Sequence, residues 1–275
     1  MFVHPLPDKL KAGGVTFELM TKGSGPPLLF LHAGHGIDAQ DPLVERLAAK
    51  YRVIAPSHPG FGASERPSWI NTVDDLAYSY LDLIEKLGLE EMLLVGASFG
   101  GWIAAELAVR GVRRFSELVL IDPVGAKFSD RETRDIADIF ARTNDELPAL
   151  LFSDPEAGRR TFANFDFVSL PEAVSLRVAR NREALVLFGW SPTLYNPKLR
   201  QRLRRIEIPT LVLRGADDRF TSTDYSRNYA AAIPGARYEV VQRAGHYGYF
   251  ERPDEYVSRV LAFLSQSRTP RDNVA

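Results

Sequence analysis

The 275 residues include no cysteine, which excludes disulfides, thiolate metal sites and a cysteine nucleophile. Net charge is nearly absent as well, with 34 lysines and arginines against 35 acids and a formal charge of −1. A chain so balanced projects no broad field toward nucleic acid or an anionic membrane. A small-molecule substrate is the expected partner, with no nucleic acid and no membrane. No apolar run approaches the roughly 20 residues that span a bilayer. The opening MFVHPLPDKL lacks the charged and apolar regions of a secretory signal. The expectation is a soluble, cytoplasmic protein of undetermined oligomeric state, without repeats or low-complexity segments.

What is present is a rhythm. Short runs rich in Val, Leu and Ile, bounded by glycine or proline, recur as TFELM, PPLLFLHAG, YRVIAPSHPG, MLLVGASFG, ELVLIDPVG, PTLVLRGAD and ARYEVVQRAGH. Between several of them lie helix-period segments: 41–50, 72–87 and 101–110. Strands alternating with helices predict an α/β fold with a mostly parallel, doubly wound sheet. The rhythm stops over 127–205, where the text turns helical and aromatic, and resumes at Pro209. The expected organisation is a core of 1–126 plus 206–275 with an inserted helical cap, or lid, of 127–205. A helix over 254–264 and a loose polar tail end the chain.

One stretch carries chemistry. In MLLVGASFGGW, Ser98 sits between Gly96 and Gly100 where a strand turns into a helix. The flanking glycines let backbones pass closely while the serine occupies a strained tip, the signature of a nucleophile elbow. A serine hydroxyl needs a base, a group that orients the base, and donors for the oxyanion. Downstream, LVLRGADDRF offers Asp217 and Asp218 after a strand, and VVQRAGHYGYF offers His246 after another. Serine, then acid, then histidine is the chain order of an elbow hydrolase.

With these motifs in place the sequence resembles the α/β-hydrolase superfamily, in the form with a helical cap between strands six and seven, from about Thr16 to Leu264. The resemblance implies that the acid of G-x-x-D is Asp218, with Asp217 shaping the turn and Asp122, after ELVLI, as the rival acid. It implies His246 as the base, because Gly245 precedes it and Glu251-Arg252-Pro253 follows. The oxyanion donors would be the amides of Phe99 and Gly34. Here His32-Ala33-Gly34 departs from the family's histidine-glycine pattern, which keeps His35 as a candidate. APSHPGFGASERP resembles the family's D-x-x-G-x-G-x-S turn with Ser57 in place of the aspartate, read as a structural turn.

Other classes fit less well. Gly34-His35-Gly36-Ile37-Asp38-Ala39 matches a dinucleotide fingerprint, but the next strand ends in Ala55-Pro56-Ser57 without the acid that would hold the ribose. His32, His35, His58 and His246 lack metal-site spacing, so neither metal nor cofactor is expected. A serine at the elbow, where related epoxide- and halide-directed enzymes carry aspartate, points to attack on a carbonyl. A carboxylic ester is the leading substrate class. The alternative is carbon–carbon hydrolysis beside a ketone, as in meta-cleavage-product hydrolases, whose oxyanion loop is often richer in glycine. A remote alternative is a non-catalytic ligand-binding homologue of the same fold. For the substrate pocket the candidates are His35, Phe140, Phe162, Phe165, Phe167, Phe188 and Trp190. Arg177, Arg180 and Arg182 could meet a substrate carboxylate.

Overall fold

The computed structural model describes residues 8–111, 114–161 and 170–267. Eight strands form one sheet: β1 (Asp8–Ala12), β2 (Val15–Lys22), β3 (Pro27–Leu31), β4 (Arg52–Pro56), β5 (Met92–Ala97), β6 (Phe115–Ile121), β7 (Thr210–Gly215) and β8 (Arg237–Val241), in the order β1-β2-β4-β3-β5-β6-β7-β8. From β4 to β8 every pairing is parallel. β1 and β2 add antiparallel pairings at one side. The seven expected strands all form. β1 was not anticipated because DKLKA is a polar, mostly exposed edge strand, and edge strands need no apolar face.

The helices follow the sequence rhythm. α1 (Pro42–Leu47) is capped by Asp41, whose carboxylate accepts from the Leu43 and Val44 amides. α2 (Val73–Leu87) starts at a reciprocal Thr72–Asp75 capping box and stops at Gly88 in left-handed conformation, as local chemistry dictates. α3 (Phe99–Val109) is buried along its whole length. Between β6 and β7 lie α4 (Leu147–Leu151), α5 (Pro155–Thr161), α6 (Glu172–Gly189) and α7 (Leu199–Arg202). The described residues of this insertion add no strand to the sheet. α8 (Thr223–Ala231), α9 (Gly248–Glu251) and α10 (Pro253–Ser267) complete the chain. α2 packs on α3, and α1 packs on α9 and α10, so helices cover the sheet in two groups around strands such as β5, buried at every residue. Among the described residues no helix is long and apolar enough to cross a membrane.

Parallel strands present their carboxyl ends on one edge of the sheet, and in open α/β sheets ligands bind there. Ser98 follows β5, Asp122 follows β6, Asp218 follows β7 and His246 follows β8. Four residues spread over the sequence are thereby brought to a common edge.

Candidate active site

The turn from β5 to α3 is tight enough to dictate its sequence. A Cβ on Gly96 would stand 2.4 Å from the Gly100 carbonyl oxygen, and one on Gly100 would stand 2.1 Å from that of Leu31. Only glycine fits at either place. Ser98 between them has φ +50° and ψ −112°, a conformation an L-residue adopts at a cost of about 1–3 kcal/mol. The strain aims its hydroxyl at His246, with Oγ 2.7 Å from Nε2.

His246 is buried, and its Nδ1 lies 3.0 Å from Asp218 Oδ2. The Asp218 carboxylate also accepts from the Phe220 and Thr221 amides at 2.7 and 3.0 Å and from the Thr221 hydroxyl at 2.8 Å. Burial opposes its charge, but His246, Arg214 and the Thr221 amide outweigh burial and hold the carboxyl below its ordinary value. An ionised Asp218 accepts from Nδ1–H, which leaves the Nε2 lone pair facing Ser98. Asp217 turns elsewhere and accepts from Ser153 Oγ at 2.5 Å.

Asp122, the rival acid, is fully buried beside this relay, with ligand-type atoms of Asp122, Asp218 and His246 within 4.8 Å of one another. Its carboxyl accepts from the Gly215 amide at 2.9 Å and from the Tyr256 hydroxyl at 3.3 Å. Burial and the neighbouring Asp218 push it well above the usual carboxylate range. The two acids are therefore pushed in opposite directions: Asp218 toward its charged form, bonded to His246, and Asp122 toward its neutral form, bonded to the frame. Among the described residues these three form the one cluster with metal-ligating proximity. Each already spends its polar atoms on hydrogen bonds within the protein.

His32 and His58 belong to the frame of the site. His32 and His58 stack with ring centroids 3.6 Å apart. His32 Nδ1 donates to the Ala33 carbonyl and its Nε2 accepts from the His58 amide, at 2.7 and 3.0 Å. His35 lies edge-on to Tyr247 at 4.7 Å, next to the relay. The loop after β3 is a turn closed by Gly36 N–H to the Ala33 carbonyl at 3.0 Å, and Gly34 stands inside it. Because α1 begins only at Pro42, the glycines of this loop do not open a helix, as a dinucleotide site would require.

A cavity of about 80 Å³ adjoins the loop, lined by Gly34, His35, Tyr247, Asn181, Arg182 and the aliphatic residues Ile139, Leu147, Leu151, Val178 and Leu185. Among the described residues its lining includes His35 but not Phe140, Phe188 or Trp190. Phe188 is buried with its ring stacked on Phe99 at 6.3 Å. Phe140 packs against Trp190, which is 61% exposed. Phe162, Phe165 and Phe167 lie outside the described residues. Of the three arginines only Arg182 lines the cavity. Arg177 forms a bidentate pair with Glu18, both contacts at 2.9 Å, and Arg180 donates to the Gly60 and Ser64 carbonyls.

Sequence reasoning overlooked several supports. Arg214, 2% exposed in the middle of an apolar strand, donates to the Asp218 carbonyl at 2.9 Å and to Thr221, Ser222 and Ser226. An arginine inside LVLRG was the available signal. Glu251 of the E-R-P segment accepts from the Gly245 amide at 2.7 Å and from the Ser153 and Asp154 amides, fixing the approach to His246. Ser57 donates to Glu18 at 2.7 Å, in keeping with a structural turn.

Comparison with known proteins agrees with this architecture. Residues 26–253 match the family model described as alpha/beta hydrolase fold. A 2-hydroxymuconate semialdehyde hydrolase of Pseudomonas sp. (strain CF600) is 30% identical over 273 residues, covering 93% of each chain. A meta-cleavage product hydrolase from Pseudomonas fluorescens IP01 superposes with a TM-score of 0.76 at 21% identity, over 96% of this chain and 99% of that one. A thermophilic esterase from Thermogutta terrifontis superposes with a TM-score of 0.72 at 23% identity, over 96% of this chain and all of the other, 100%. With strand order, elbow and matched length in agreement, the chain belongs to the α/β-hydrolase family.

Proposed function

We propose that the protein is a serine hydrolase acting on the carbonyl of a compact, acid-bearing substrate. The observation that carries this reading is the unbroken relay from Ser98 through His246 to Asp218, at 2.7 and 3.0 Å. His246 Nε2 takes the Ser98 proton as Oγ attacks the carbonyl carbon. Asp218 keeps the imidazole in the required tautomer and stabilises the imidazolium. The oxyanion is held by the amides of Phe99, at the helix start where no intrahelical acceptor exists, and of Gly34. The imidazolium returns its proton to the leaving group, and water attacks the Ser98 ester by the reverse sequence.

Hydrolysis of a carbon–carbon bond next to a ketone is the reading we place first. Arg182 stands in the wall of the cavity beside His35, Tyr247 and five aliphatic side chains. A guanidinium there supports a substrate carboxylate, and the Pseudomonas relative named above is a 2-hydroxymuconate semialdehyde hydrolase. Ester hydrolysis is the second reading, favoured by His32-Ala33-Gly34, which lacks the glycine-rich loop. A substrate panel of short aryl esters, lactones and a vinylogous diketone acid, run beside Ser98→Ala, tests both. A kcat/KM at least about 100-fold higher for the diketone acid, roughly 2.7 kcal/mol of transition-state preference, is the expected outcome. The opposite ratio places esters first.

A further inference from the structure

The oxyanion loop is held from above by one stripe of the helix α6. Arg177, Asn181 and Leu185 recur at intervals of four residues and so share a helix face. They meet the loop in reverse order. Arg177 Nη2 donates to the Ile37 carbonyl at 3.3 Å. Asn181 Nδ2 donates to the His35 carbonyl at 2.8 Å. A Cβ on Gly34 would stand 2.7 Å from Leu185 Cδ2, and one on Gly36, at φ +96°, would stand 2.2 Å from Asn181 Nδ2. Gly34 lies directly under Leu185, and Gly36, at positive φ, lies directly under Asn181.

Asn181 is the centre of the stripe. It is 2% exposed, and its Oδ1 accepts from the Gly62 amide at 2.8 Å while Nδ2 serves His35. A donor on one side and an acceptor on the other fix which way the carboxamide faces. It therefore ties the loop after β3 to the loop after β4. Behind it, the buried Arg177–Glu18 pair anchors the same face of α6 to β2.

We propose that Asn181 is a positioning residue for the oxyanion site, holding the His35–Gly36 peptide so that the turn presents the Gly34 amide to the developing charge. The role presupposes the Ser98 nucleophile proposed above. A displacement of about 1 Å at such a donor lowers turnover by about 100-fold. Removing the carboxamide is expected to cost about 30- to 100-fold in transition-state binding while changing the binding of a small ground-state ligand such as acetate far less.

The test uses Asn181→Leu, which removes both hydrogen bonds, and Asn181→Asp, which keeps the acceptor for Gly62 but sets an oxygen against the His35 carbonyl. Three readouts are taken on protein whose circular dichroism matches the parent: labelling of Ser98 by a fluorophosphonate, inhibition by a short aliphatic trifluoromethyl ketone, and inhibition by acetate. Slower labelling and about 30- to 100-fold weaker ketone inhibition, with acetate inhibition changed less than about threefold, support the proposal. If ketone and acetate inhibition change equally, or neither changes, Asn181 has only a structural role and the proposal is overturned. If Asn181→Leu fails to fold, Asn181→Asp alone decides by the same ratio. A parent that the fluorophosphonate does not label overturns the serine mechanism instead.

Discussion

His32, at the root of the oxyanion loop, is a buried imidazole that must stay neutral. Its Nε2 accepts from the His58 amide, so a proton there would set two donors face to face. Burial lowers its pKa from 6.5 to about 3, with His35 and Arg177 adding repulsion against the bonus of the Ala33 carbonyl. Between those values the unfolded chain binds a proton that the folded chain refuses, so stability rises with pH across that window and is lost as pH falls below 6.5. The slope is about 1.4 kcal/mol per pH unit, and from pH 7 to pH 5 His32 alone removes about 2 kcal/mol. That is a large fraction of a total of roughly 5–15 kcal/mol. Asp41 works in the opposite sense, because burial raises its carboxyl to about 7, so the bare pH dependence of the parent mixes several groups. The assay is therefore a double difference: urea unfolding of parent and His32→Gln at both pH values. The parent should lose about 2 kcal/mol more than the variant. Parallel losses, agreeing within about 0.5 kcal/mol, refute the buried neutral imidazole.

Four further outcomes are expected. Ser98→Ala should lower kcat by about 10⁴- to 10⁶-fold with the fold intact, checked by steady-state kinetics and by loss of the fluorophosphonate adduct. Asp218→Asn should cost about 10⁴-fold because the amide favours the wrong tautomer, whereas Asp217→Asn and Asp122→Asn should stay within about threefold; a crippling Asp122→Asn would exchange the two acids' roles. Since Asp122 is raised in the folded state, its contribution is present below its unfolded value and lost as pH rises. Asp122→Asn should therefore gain stability relative to the parent from pH 4 to pH 7, read by melting temperature. Gly100→Ala, whose Cβ would meet backbone oxygen at 2.1 Å, should destabilise by about 3 kcal/mol or more, and unchanged unfolding would contradict the turn geometry.

Much of this was legible in the chain itself, because it is local. Apolar runs of strand length between glycines specify β3 to β7, Thr72 and Gly88 mark the ends of α2, and Gly96 and Gly100 mark a turn whose backbone tolerates no Cβ. The order of Ser98, Asp218 and His246 could be read for the same reason: each follows a strand, and parallel strands deliver their ends to one edge. β1 escaped because a polar edge strand has no burial pattern to display.

What only the tertiary structure decided are contacts between distant segments. Arg177, Arg180 and Arg182 read alike in sequence, yet the first two bind Glu18 and loop carbonyls while Arg182, bonded to Asn144, lines the cavity; helix rotation against the core makes that choice. Asn181 and His35 are 146 residues apart, and nothing local announces their bond. Asp122 and Asp218 are the same side chain after equivalent strands. One is held toward its charged form because His246 and Arg214 surround it, and the other is pushed toward its neutral form by burial and its charged neighbour. Charge state is set by surroundings, and surroundings exist only once the chain has folded.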